Sequence, residues 1–86
     1  MNRKFGLQYA EYEVSPEARS FPVTNRGVRL VWAKDFDEAC TKAFPKFKFN
    51  EVTKRTKCGR FMDENGYGKG VLISWNGLYC DNIKEN

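Results

Sequence analysis

The chain has 86 residues, 15 Lys+Arg against 11 Asp+Glu for a net charge of +4, and no histidine. A chain this short hides only roughly 60–65% of the surface it exposes when unfolded, so residues 1–86 are expected to form one domain around one small core. Lack of histidine excludes Ser-His and Cys-His nucleophile pairs, His-bearing zinc sites and an imidazole base near neutral pH.

The segment from Lys4 to Val14 reads as a strand with a fault. Phe5, Leu7 and Tyr9 alternate on one face, but the same phase would carry Glu11 and Glu13 into the core. Ala10, Tyr12 and Val14 form the opposite set, so a bulge near Tyr9-Ala10 would reconcile the halves. Ser15-Pro16-Glu17-Ala18 looks like a capped turn, Phe21-Pro22-Val23 is short and extended, and Asn25-Arg26-Gly27 is a turn signal. Val28–Trp32 is the clearest strand, with Val28, Leu30 and Trp32 expected on its buried face.

A helix start follows at once. Asp35 is a good N-cap and Glu38 completes a capping-box pattern. Phe36, Ala39, Cys40 and Ala43 then repeat at the i, i+3, i+4, i+7 spacing of one buried stripe, and Pro45 ends it. Such a short helix cannot stand alone in water, so it must lie on the sheet.

Phe47–Phe61 is expected as one long strand, Asp63–Gly70 as a glycine-rich hairpin loop, and Val71–Trp75 as its partner. Asn76-Gly77 signals a two-residue turn into a short last strand, Leu78-Tyr79-Cys80. The order β-β-α-β-β predicts an α+β fold: a small antiparallel sheet with one short helix packed on one face. The other face is left to water or to a partner.

The charge is concentrated. Residues 42–60 hold Lys42, Lys46, Lys48, Lys54, Arg55, Lys57 and Arg60 against Glu51 alone, interleaved with Phe44, Phe47 and Phe49. Phosphates want cations and unstacked bases want flat partners, so this stretch is the candidate binding surface. If Val52 and Cys58 face the helix, Thr53, Arg55 and Lys57 share the open face. A Lys- and Arg-studded edge strand that resists aggregation would carry the same residues. Tyr67 and Lys69 stand at the tip of the glycine-rich loop and join the candidate set as loop contacts. That loop lacks the spacing of a phosphate-binding loop and joins two strands, so it opens no helix.

Glu11/Glu13, Asp35/Asp37 and Asp63/Glu64 are carboxylate pairs, but none has a histidine beside it, and Asp35-x-Asp37-x-Ala39 breaks the calcium-loop pattern at its third ligand. No catalytic residue, metal site or cofactor is expected. Cys40, Cys58 and Cys80 lack a C-x-x-C spacing and read as free thiols in a reducing cytoplasm, a Cys58–Cys80 bridge being the alternative. Trp32 and Trp75 are expected in the core. No targeting segment or membrane span is read, so a cytoplasmic location is expected.

The expectation is a small non-catalytic binding protein whose basic strand face docks on nucleic acid or on a nucleic-acid-handling complex. It would act as a steric inhibitor or adaptor of the kind phages and mobile elements encode. The alternative is a protein–protein module using edge-strand addition or a homodimer through the open sheet face, without nucleic acid.

Overall fold

The computed structural model describes residues 1–82. In chain order they form β1 (Arg3–Val14), β2 (Val23–Ala33), α1 (Phe36–Ala43), β3 (Lys48–Thr53), β4 (Thr56–Met62) and β5 (Gly68–Ser74). All pairings are antiparallel and the sheet order is β2-β1-β5-β4-β3, with the helix on one face. The α+β class holds. Among the described residues no helix is long and apolar enough to cross a membrane.

The helix begins where its cap requires. Glu38 N–H donates to Asp35 Oδ1 at 2.8 Å, and Glu38 Oε1 accepts from Lys34 N–H at 3.4 Å. Phe36, Ala39, Cys40 and Ala43 are buried, as their spacing predicts. They pack with Phe5, Leu7, Ala33, Phe44, Val71 and Ile73 into the core, where each large side chain contributes roughly 1.5–3 kcal/mol. Burial pushes the Cys40 thiol up to about 12.

An eight-residue helix is about 12 Å long, whereas the twelve residues of β1 run about 40 Å. The helix therefore covers only part of its sheet face. Glu11 and Glu13 keep the phase of Phe5, Leu7 and Tyr9 but lie beyond the helix, so they need no bulge to escape the core. The pairing of β1 with β5 runs unbroken from Gln8 to Val14. The irregularity sits later than expected, between Glu11 and Tyr12, and only in the pairing with β2.

Four further expectations are corrected. Asn25-Arg26-Gly27 is not a turn but the middle of β2, because Gly27 lies opposite Tyr9, whose ring fills the space a Cβ would need. Val28, Leu30 and Trp32 do not face the core; Val31 and Ala33 do. The expected long strand 47–61 is a hairpin, β3 and β4, turned at Lys54-Arg55. No glycine or proline marks that turn; the Thr53 hydroxyl accepts from Arg55 N–H at 3.2 Å and closes it. Finally, Asn76-Gly77 does turn the chain, with Gly77 at φ +86, but the segment after it does not return along β5. Tyr79 bridges to Phe5, Cys80 N–H donates to Lys4 O at 2.7 Å, and Asp81 Oδ1 accepts from Lys4 N–H at 2.8 Å.

Candidate functional site

The seven cations of residues 42–60 do not share a face. Lys57 points to the helix side and pairs with Asp37 Oδ1 at 2.5 Å. The side-chain hydrogen bond to Asp37 holds the Lys57 ammonium above its ordinary range. Lys42 pairs with Glu38 at 3.2 Å and caps the Trp32 carbonyl at 2.9 Å. Arg55 lies at the hairpin tip, folded back so that its guanidinium donates to Asn76 O at 3.2 Å, with Lys54 beside it. Lys46 and Lys69 line a groove of about 280 Å³ past the helix end, with Arg29 and Glu11. Arg29 is itself engaged there, donating to Ala43 O at 2.7 Å with its guanidinium 4.3 Å from the Phe44 ring. Only Lys48 and Arg60 reach the open face, directly opposite one another across β3 and β4. The phase assumed for this stretch is thus inverted: Cys58 lies on the open face and Lys57 on the helix side.

Tyr67 is also tied, its hydroxyl donating to Glu17 Oε1 at 2.8 Å. That hydrogen bond raises the Tyr67 hydroxyl above its ordinary value. The loop is a tight turn in which Asp63 Oδ1 accepts from the Asn65 and Tyr67 amides, with Gly66 at φ +88.

A different set of residues meets on the uncovered face. The strand registers arrange it in transverse rows. Val14, Gly68 and Met62 form one end row, Tyr12, Gly70, Arg60 and Lys48 the next, and Arg26, Ala10, Leu72, Cys58 and Asn50 the one after it. Val28, Gln8, Ser74 and Thr56 follow, then Leu30 and Gly6, then Trp32 and Lys4 at the far end. Among the described residues the strands therefore place four cations on this face and no carboxylate. Glu11, Glu13 and Glu51, the strand carboxylates, all project to the helix side. Among the described residues none of Arg26, Lys48 and Arg60 is in an ion pair; the pairs formed are Arg3–Asp81, Lys42–Glu38 and Lys57–Asp37.

Apolar surface accompanies these charges. Val28 is 62% exposed, Trp32 45% and Leu72 43%. Gln8, Ala10, Arg26, Leu72 and Ser74 line a shallow trough of about 170 Å³ between them. At one end Tyr12 lies across Gly70, stacks on Phe21 at 5.8 Å, and shares a 3.1 Å hydrogen bond with Cys58 Sγ. The Arg60 guanidinium continues that stack, 5.4 Å from the Phe21 ring. Desolvation, then the Cys58 contact, raises the Tyr12 hydroxyl above its usual value. At the other end Lys4 is only 4% exposed, its ammonium 5.5 Å from the Trp32 ring.

Sequence reasoning missed Lys4, Tyr12, Phe21, Arg26 and Trp32. The available signal was the polar or small set Lys4, Gly6, Gln8 and Ala10, which marks the outward face of β1. Trp75, in contrast, packs as expected, 4.9 Å from Phe5 and 5.7 Å from Phe36. Cys40 is buried and Cys58 and Cys80 are half-buried, all as free thiols; Cys58 lies against Tyr12 and Cys80 against Gly6, several rows apart. No family model, curated protein or solved structure matches this chain.

Proposed function

We propose that the protein is a small non-catalytic binding module that docks on nucleic acid through the uncovered face of its sheet. A module of this size would act by covering the surface it binds, as an inhibitor or adaptor does. The observation that supports this reading is the segregation of charge: Arg26, Lys48 and Arg60 on a face without strand carboxylates, beside exposed apolar and aromatic side chains. Phosphates suit such a face, because each neutralised phosphate releases a counterion.

Salt dependence tests it. If Arg26, Lys48 and Arg60 each neutralise one phosphate, log K falls against log salt with a slope of roughly −2 to −3. Fluorescence anisotropy of labelled oligonucleotides between about 50 and 200 mM salt reads that slope. Absence of binding to single- and double-stranded DNA and RNA at the low end would discard the proposal.

A second reading rests on the sheet edge. β2 is an outermost strand of 11 residues without proline, whereas β3, at the other edge, has six and a register break. Pairing a partner's strand along β2 would make the protein a protein–protein module. A partner retained after nuclease treatment in a pull-down, and lost when proline replaces Val28, would favour it.

A further inference from the structure

We infer that the nucleic acid taken by the uncovered face is single-stranded, with a base stacked on Trp32; this rests on the reading above and narrows it. The major groove of a duplex is read by an element that enters it, either a helix or a two-stranded ribbon. Here the helix lies on the opposite side of the sheet. The β3–β4 ribbon does not project freely either. Its tip is folded onto the segment after β5, where Trp75 N–H donates to Arg55 O at 2.9 Å and the Arg55 guanidinium packs over Gly77. What the protein presents instead is a broad sheet surface with rings at both ends.

The face is long enough for several nucleotides of a single strand. Lys4, in the row of Trp32, and Tyr12 are eight residues apart on β1, about 27 Å at strand rise. That span suits on the order of four or five nucleotides, the low end of single-strand site sizes. Arg26 on β2 lies one row short of Tyr12 and Arg60 on β4 lies in Tyr12's own row; the strands that carry them are three spacings apart, about 15 Å, and the two side chains flank the trough over Ala10 and Leu72. Cations on a face that also exposes an indole suit an unpaired strand, whose bases have free π-faces. An acidic protein would satisfy the cations but leave Trp32 without a flat partner.

Indole emission reads the contact, since Trp32 is exposed while Trp75 is packed among Phe5, Phe36 and Tyr79. The intact protein is titrated with an oligothymidylate of about ten nucleotides, a duplex of the same length, and poly-glutamate. The inference expects saturable quenching by the single strand and much weaker binding of the duplex. Trp32→Ala should lower single-strand affinity about 5- to 150-fold, the range of one lost base–aromatic stack. Trp32→Phe should recover part of that loss, with an unchanged thermal melt confirming the fold of both variants. Equal binding of duplex and single strand, or undiminished affinity of Trp32→Ala, overturns the inference and leaves the nucleic-acid reading standing. Binding of poly-glutamate as tight as the oligonucleotide overturns it in favour of an acidic protein partner. Failure of both nucleic acids to bind overturns the parent reading itself.

Discussion

Gly70→Ala tests the architecture of the uncovered face with a single methyl group. Gly70 does not have a positive φ, so its backbone would accept alanine without strain. In an open strand, that substitution would stabilise the protein by about 0.4–1 kcal/mol through the unfolded chain. Here the new Cβ would land inside the Tyr12 ring, against Cε2 and Cζ. Tyr12 would have to leave, losing a ring stack worth about 0.5–1.5 kcal/mol and a hydrogen bond to Cys58 worth about the same. The losses exceed the gain, and the net cost is about 0.5–2 kcal/mol. For a domain of this size that is a fall in Tm of roughly 3–15 °C, measurable by circular dichroism. A Tm equal to or above that of the parent would refute the placement of Tyr12 across Gly70, and with it the row that carries Arg60 and Lys48.

Three other outcomes follow from particular contacts. Trp75→Ala should cost about 3–5 kcal/mol because the indole packs against the core, whereas Trp32→Ala should cost far less; denaturant titration of both variants separates them. Asp81 is held below the ordinary carboxylate range, chiefly by Arg3 and next by the Lys4 amide. Its folded value is depressed, so its contribution is present above about pH 3.9 and is lost as pH falls through the folded value. Asp81→Asn should therefore lower the Tm at pH 6 and flatten its decline in acid; parallel acid melts of the two proteins check this. Cys40 should resist alkylation at pH 8 in the native state while Cys58 and Cys80 react, because burial shields the Cys40 thiol and, by pushing it up to about 12, keeps it protonated at that pH. Mass spectrometry after a timed iodoacetamide pulse reads the order.

The helix was legible to the residue because its signals are local. Asp35, Glu38 and the stripe Phe36, Ala39, Cys40 and Ala43 all act within a few positions of one another. The clean alternation Phe5, Leu7, Tyr9 likewise identified the core face of β1. The β2 face was not legible, because both phases of Val28–Ala33 are largely apolar and only pairing with β1 decides between them. The turn at Lys54-Arg55 was invisible for a different reason: a threonine hydroxyl closes it where glycine or proline would have signalled it. Once that strand became a hairpin, the parity of every cation downstream changed. Lys57 moved to the helix side and Arg60 to the open face, although both belong to one short basic stretch. Arg26 was overlooked because its neighbours Asn25 and Gly27 read as a turn. Density of charge along the chain was thus a poor guide to charge on a face.

Two sets of charge reversals separate the uncovered face from the rest of the basic surface. Arg26→Glu with Arg60→Glu alters the uncovered face, while Lys46→Glu with Lys54→Glu alters the basic stretch away from it. The first pair should weaken oligonucleotide binding by on the order of tenfold or more and make the salt slope shallower, while the second pair should change neither appreciably. Loss of binding in the second pair with retention in the first would contradict this and return the site to the helix side and hairpin tip.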